Sequence, residues 1–512
     1  MTAISAVRPQ TRTAGLAVLR FLLGMTLSAA SGILLLLAFP PYGIWPLAWV
    51  ALVPALFAQY RLLPRRLSSL AGTLYLLFWL GPYMARQFGD VFGPIFTFLG
   101  VFVALGGLFI FIERRFHELT GFRWFVLYGM FLWVGQEMLR AVAIPLFGTG
   151  AFIGYTQATQ PWLFQPVAVF SIYGFDLLIM LVNYALAQGL LAWYDRRTAS
   201  ASAPVNSRRA KRWLEVAGGV LAAWIGLSLA LLAVTPKDTP TVRVASLRAG
   251  FPLAAHIDTI TTDQTRFDTF DGQARQAAAQ GAQVLVTAEM LFDFDPQQQY
   301  TEEFKTLARE TNTYIFIGYA VIDQVKQIYR NEMVLLSPSG QFSAAYAKNH
   351  PVPPYEPLPQ GAGVYPVFDT PWRKMAAMIC QDANFTDVSR RLAANGAQLI
   401  AIGLNESKGD AEHKVTYTTL RAVENHAAVV ATGSTHFSAV IDPNGRQVNV
   451  NLDTVGSPLV MVADVRMGSG PTLYSAAGDV LGWVSLAGFA FYFTFMIVVR
   501  IRAGIAARRA AK

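Results

Sequence analysis

The 512-residue chain contains a single cysteine, Cys380, which closes the apolar run Met375–Ile379 ahead of the polar residues Gln381, Asp382 and Asn384. With no partner for an internal disulfide, the thiol contributes either packing or reactivity. Two further residues end similar runs, Glu289 after Val284–Ala288 and Lys348 after Ala344–Ala347. A thiol is a poor nucleophile until deprotonated, and a carboxylate within hydrogen-bond reach can take that proton. An ammonium beside the pair is expected to lower the thiol pKa and to stabilise the oxyanion that forms when a carbonyl is attacked. Each residue alone has a plain structural alternative: a small buried hydrophobe for the cysteine, a solvated surface charge for the other two. The specificity lies in the three types recurring at strand ends within one segment.

That segment, about Thr235 to Gly478, has ordinary globular composition and is long enough to bury its own core. Period-two apolar patterning predicts strands at Val242–Leu247, Val284–Thr287, Tyr314–Ile322, Met333–Leu336, Ala344–Ala347, Met375–Ile379, Leu399–Ile402, Val429–Thr432, Ser438–Ile441 and Val460–Val465. Apolar spacing of three to four predicts helices at Asp258–Gln280, Gln299–Thr311, Asp387–Asn395 and Ala411–His426. Turn signals at Ser337–Gly340 and Asp442–Gly445 separate pairs of strands. Alternation interrupted by hairpins implies an α/β domain whose sheets are not purely parallel.

The rest of the chain is built for a bilayer: 54% of all residues are hydrophobic and 14% charged. A span needs roughly 20 apolar residues. About eight blocks qualify by length, near Leu16–Phe39, Ile44–Tyr60, Leu67–Ala85, Val91–Ile112, Trp124–Ile144, Leu163–Tyr194, Trp213–Val234 and Val480–Val499. Proline and glycine interrupt the second and third. The first runs unbroken past Ser28–Ser31 and reads as an uncleaved span. The expected organisation is a transmembrane bundle of about seven helices in 1–234, an α/β domain in 235–478, and a last span with a basic tail in 479–512. Arginine and lysine gather in alternate connections, at Arg8–Arg20, Arg61–Arg66, Arg114–Arg123, Arg196–Arg212 and Arg500–Lys512. The positive-inside rule then puts both termini in the cytoplasm and the α/β domain outside it. The net charge of +9 belongs to this topology and to contact with anionic lipid. No aromatic-basic motif points to nucleic acid.

Beyond these residues, the chain resembles the apolipoprotein N-acyltransferases, a branch of the nitrilase (carbon-nitrogen hydrolase) superfamily. The resemblance is carried by Leu37–Val50, by Gln136–Arg140 with Gly154 and Tyr155, by Lys348–Leu358, by Arg421–Asn425 and by Phe437–Gly445. It implies a polytopic α-helical membrane bundle plus an extracytoplasmic nitrilase-like α-β-β-α sandwich. It also implies that Cys380 takes an acyl chain from a phospholipid as a thioester, with Glu289 as general base and Lys348 steadying the oxyanion. The chain would then pass to the amino terminus of a diacylglyceryl-cysteine lipoprotein. Glu356 matches the family's second glutamate, and Asp382 and Asn405 are carried as supporting residues. Neither cofactor nor metal is implied, and a monomer in the bacterial cytoplasmic membrane is expected.

Several positions depart from the family pattern. Gln381 and Asp382 stand where an aromatic residue and glutamate commonly follow the cysteine. The connection from Glu356 to Cys380 is short, Ser407–Gly409 lacks the expected tryptophan after Glu406, and Arg248–His256 lacks the expected glutamine and tryptophan. His350 and His436 read as loop or packing residues, since a carboxylate already serves as base. The 6 histidines show no paired ligand spacing, and Gly148–Gly150 follows no strand and makes no nucleotide cradle. Asp176 and Glu137 lie within apolar blocks, where ionisable groups are costly. A membrane-tethered amidase or esterase of the same thiol chemistry, and a non-catalytic lipid- or lipoprotein-binding protein, are the alternative functions.

Overall fold

The computed structural model describes residues 10–87, 100, 106, 113–144, 148–198, 203–236, 238–251, 262–323, 328–352, 356, 363–453 and 455–510. Among them, four helices are long and apolar enough to cross a membrane: Gly15–Ala38, Val167–Thr198, Ser207–Val234 and Val480–Ala510. The third and fifth apolar blocks form the helices Ser69–Gln87 and Phe125–Ala143. The second block is not one long helix; it breaks into Trp45–Trp49, Val53–Phe57 and Ala58–Leu62. Pro46 and Pro54 lack the amide a continuous helix needs and sit instead in the first turns of their short segments. The fourth block, Val91–Ile112, lies outside the described residues except at 100 and 106.

The chain separates into two compact units, one of 1–136, 177–222 and 484–512, the other of 137–176 and 223–483. The first is a helical bundle. Within it Arg61 grips Asp195 with two parallel bonds of 2.6 and 2.7 Å, both side chains nearly buried. This fork is the geometry in which an arginine-carboxylate pair is strongest.

Among the described residues the second unit holds twelve strands: β1 Thr241–Arg248, β2 Val284–Thr287, β3 Tyr314–Asp323, β4 Ile328–Leu336, β5 Tyr346–Ala347, β6 Val367–Phe368, β7 Met375–Ile379, β8 Leu399–Leu404, β9 Ala428–Gly433, β10 Phe437–Ile441, β11 Gln447–Leu452 and β12 Leu459–Arg466. They form two six-stranded sheets, in the orders β12-β1-β2-β3-β4-β5 and β11-β10-β9-β8-β7-β6. Each has a parallel centre, β1-β2-β3 and β7-β8-β9, flanked by antiparallel strands. One core lies between the sheets, with Val242, Val244, Val284, Val286 and Phe316 meeting Met378, Ile400, Ile402 and Val430. Alternate residues of the first sheet, such as Ala245, Leu247, Leu285 and Ile317, turn to the helices Asp263–Ala279 and Thr301–Thr311. The helices Asp387–Ala394 and Lys408–Asn425 pack with the second sheet and one another. The result is the α-β-β-α sandwich.

A chain of hydroxyls crosses the apolar layer between the sheets. Thr432 Oγ1 donates to Ser246 Oγ at 2.8 Å, Ser246 Oγ lies 3.0 Å from Ser438 Oγ, and Thr432 Oγ1 also lies 3.0 Å from Val286 O. All three side chains are fully buried, so each bond removes a desolvation cost and fixes one strand against the facing one.

Candidate active site

Glu289, Lys348, Cys380 and Asn405 each sit just past the carboxyl end of a strand, β2, β5, β7 and β8 respectively. The two sheets close on one another there because of glycine. A Cβ at Gly403 on β8 would lie 2.9 Å from the amide nitrogen of Glu289, and one at Gly318 on β3 would lie 2.2 Å from Ala288 O. Only a residue without a side chain lets the backbone leading to the carboxylate pass between them.

Cys380 leaves β7 with φ +43°, in the left-handed region, and starts the tight turn Cys380–Asn384. Such a backbone costs a non-glycine residue about 1–3 kcal/mol and persists only where its surroundings hold it. Asp382 supplies that hold. Its Oδ2 accepts from the amide of Ile379 at 3.1 Å and the hydroxyl of Tyr346 at 2.6 Å, and its Oδ1 accepts from the amides of Asn349 and His350 at 3.2 and 2.8 Å. The shorter acid at this position thus ties the nucleophile's turn to the segment that carries Lys348.

Lys348 is clamped between two carboxylates, its Nζ 2.8 Å from Glu289 Oε1 and 2.6 Å from Glu356 Oε1. Asn331 on β4 donates its Nδ2 to Glu289 Oε1 at 2.7 Å, and its carbonyl accepts the amide of Lys348 at 2.9 Å. Glu356 is held by the amide of Val352, 2.9 Å from Oε2. The Cys380 thiol donates to the carbonyl of Asn405 at 3.3 Å. Asn405 therefore serves the thiol through its backbone, while its side chain accepts from Ser434 Oγ at 2.8 Å. All six residues expected from the sequence fall in the second unit.

Glu289, Lys348 and Cys380 are coupled electrostatically. Residues 264–469 match the carbon-nitrogen hydrolase family model, and residues 31–185 match the apolipoprotein N-acyltransferase N-terminal domain. Along almost its whole length the chain is similar to apolipoprotein N-acyltransferases. It is 27% identical over 516 residues to the apolipoprotein N-acyltransferase of Geobacter metallireducens, covering 91% of this chain and 93% of that one. Identity to the enzyme of the same name from Gloeobacter violaceus is also 27%, with 96% of each chain covered. A human deaminated glutathione amidase matches 43% of this chain at 28% identity, covering 79% of its own length. Among solved structures, an amidase from Nesterenkonia sp. aligns with 46% of this chain and 93% of its own at 20% identity, TM-score 0.38.

The Lys348 ammonium does pull the thiol pKa down, but other contributions outweigh it. Burial, then the charge of Glu289, push the Cys380 thiol up to about 12; Lys414, Lys348 and the bond to Asn405 pull the other way and do not offset them. The thiol is therefore protonated at rest rather than pre-ionised by its lysine neighbour. Burial works against the Lys348 ammonium too, but Glu289, Cys380 and Glu356 outweigh it and hold its pKa well above the ordinary range. Burial raises Glu356 despite Lys348, and raises Asp382 despite its donors. Such an array can pass the thiol's proton to a carboxylate during attack while a fixed cation faces the developing negative charge.

His350 and His436 are each engaged in local contacts. His350 stacks on Phe385 with ring centroids 3.7 Å apart and bonds Asp387 at 2.8 Å, and His436 Nδ1 lies 2.8 Å from Asp453 O. Arg248 meets Asp453, Asn451 and Ser457, while residues 252–256 lie outside the described set. Two residues that the sequence does not single out bear on the site, Asn331 through its bond to Glu289 and Lys414 through its charge. Each is a polar residue on a regular element whose burial only the fold reveals, so the sequence held no signal for it.

Proposed function

We propose that this protein N-acylates lipoproteins at the membrane by a two-step transfer through Cys380. In the first step Glu289 takes the thiol proton as sulfur attacks the ester carbonyl of a phospholipid. Lys348 faces the oxyanion, the carbon–oxygen bond breaks, and the lysophospholipid leaves with the proton. In the second step the amino terminus of a diacylglyceryl-cysteine attacks the thioester; a carbon–nitrogen bond forms, the carbon–sulfur bond breaks and sulfur regains a proton. Glu356 and Asn331 position Lys348 and Glu289. The observation that carries this reading is the clamp of Lys348 between Glu289 and Glu356 in the unit that presents Cys380 on a strained turn.

Apolar helices support a membrane setting for both substrates, whose acyl chains cost about 0.8 kcal/mol per CH₂ to lift into water. In this reading about eight helices span the bacterial cytoplasmic membrane, both termini are cytoplasmic, and the catalytic domain, about 235–478, lies outside. The chain acts as a monomer.

Incubating the purified protein with phospholipid labelled in its acyl chain tests the proposal. The label should appear on Cys380 by intact-mass spectrometry and then move to a diacylated peptide acceptor. Label released only as free fatty acid would establish a hydrolase, and absence of label on the native protein would establish a binder.

A further inference from the structure

The helix Lys408–Asn425 carries an amine that the scheme above does not use. Lys414 keeps 1% of its surface exposed, where an unpartnered ammonium would be strongly disfavoured. Its Nζ lies 2.9 Å from Asn384 Oδ1 and 3.5 Å from Asp410 Oδ2. Asn384 is the last residue of the turn that Cys380 begins. Its Nδ2 donates to Gln381 Oε1 at 3.1 Å, and its carbonyl accepts from both the amide and the hydroxyl of Thr149 at 2.7 Å. Thr149 bonds the hydroxyl of Tyr155, which accepts from Arg421 Nη2 at 2.9 Å. Arg421 follows Lys414 by about two helical turns and so shares its face. One helix face thus holds the nucleophile's turn at two points.

We propose that Lys414 is a second cation of the thiol site, a positioning residue that stabilises the Cys380 thiolate and the anionic intermediates of transfer. The two lysines differ in how far their charge is already neutralised. Lys348 has two carboxylate oxygens within 2.8 Å. Among the described residues Lys414 has a neutral amide at 2.9 Å and one carboxylate at 3.5 Å, so its charge is less fully matched at short range, and it acts on the thiol more strongly than Lys348 does. The charged groups acting on the thiol are Glu289, Lys414 and Lys348. Around them stand Glu356 and Tyr329 beside Lys348, Asp382 on the turn itself, Asp410 beside Lys414, and Glu406 next to Asn405. The effect on turnover rests on the acyl-transfer reading, whereas the effect on the thiol does not.

The experiment is alkylation of full-length protein in detergent by iodoacetamide at pH 8, where the single cysteine makes the product unambiguous. Lys414→Met should slow alkylation by about tenfold, one unit of thiol pKa, at the lower end of what a neighbouring charge does. Asp410→Asn, which removes the opposing charge, should speed it, and Lys414→Arg should stay near the native rate. Damage to packing would move Lys414→Met and Asp410→Asn the same way. Shifts of one sign in both, or no shift in Asp410→Asn, overturn the proposal; the second variant decides alone if the first does not fold. Native protein that shows the opposed shifts but takes no acyl label would sink the acyl-transfer reading and leave the role of Lys414 standing.

Discussion

Glu289 and Glu356 close on the Lys348 ammonium at 2.8 and 2.6 Å, whereas Glu406, next to the residue that accepts the thiol's bond, has no cation bonded to it among the described residues. Glu406 Oε1 accepts from the amide of His436 at 2.7 Å, and Oε2 has no hydrogen-bond partner among the described residues. Burial pushes Glu406 up to about 8 against the pull of nearby amides, so it is largely a neutral acid at pH 7. Two solutions to the same problem, a carboxyl group taken out of water, therefore occur in one site. Charge is kept where it is matched by charge, and is surrendered where only dipoles are available. The first arrangement is expected to fail when a member is removed, and the second to tolerate an isosteric neutral replacement.

The sharpest way to break this contrast is to remove members of the charged side. Cys380→Ala should abolish the acyl-enzyme, and Glu289→Gln should slow its formation by about 10²–10⁴-fold, the usual worth of a general base. Because the charge of Glu289 raises the thiol, the same variant should also lower the thiol pKa below about 12. Single-turnover acylation and the pH dependence of absorbance near 240 nm read the two effects; a slower enzyme with an unchanged thiol would refute the coupling.

Lys348→Met comes next, since it leaves Glu289 and Glu356 buried without their cation. Breaking a buried pair from one side costs about 3–5 kcal/mol. Denaturant unfolding should show that loss, and adding Glu356→Gln should return part of it; purely additive losses in the double variant would mean the network is not coupled.

On the neutral side the prediction concerns pH. The folded-state pKa of Glu406, about 8, lies above its ordinary value of 4.5. Its contribution to stability is therefore full below about 4.5, declines as pH rises, and is gone above about 8. Glu406→Gln should become progressively more stable relative to the native protein across that window. Equal slopes of stability against pH in the two proteins would show that the carboxyl is not held neutral.

The smallest effect is expected at Tyr155→Phe, which removes the acceptor of Arg421 Nη2 and the partner of Thr149. A loss of about 0.5–1.5 kcal/mol in unfolding free energy is expected, with acyl-enzyme formation close to native. A variant that folds normally but fails to acylate would move Tyr155 into the reacting shell.

The catalytic strands were readable because their apolar runs are continuous or strictly alternating and end on polar residues. β2 and β7 start and stop where the pattern says. β11 was not anticipated although Gln447–Leu452 alternates polar and apolar residues; it is a half-buried edge strand that follows directly on the turn Asp442–Gly445. β6, two residues long, is below what periodicity can register. The chemistry of Glu289, Lys348 and Cys380 follows from their types, but the raised thiol depends on burial and on the sum of four charged neighbours and dipoles that only the fold assembles. Lys414 was invisible for the same reason: on the amphipathic helix Ala411–His426 a lone lysine reads as solvent-facing. The sequence pattern also makes Ile44–Tyr60 one apolar block, while its prolines divide it into short turns.

The hydroxyls of Ser246, Thr432 and Ser438 touch no substrate in the mechanism, yet they act as a gauge for it. They key β1 to β9 and β10, and with β2 riding on β1 and β8 on β9, they set how far the end carrying the base projects relative to the end carrying the nucleophile. Sliding one sheet by a single residue would displace those ends by roughly 3.3 Å, about the length of a hydrogen bond. Reach between acid and sulfur is thus metered deep in the interior, and loss of these three hydroxyls would detune the enzyme without altering a single group at its mouth.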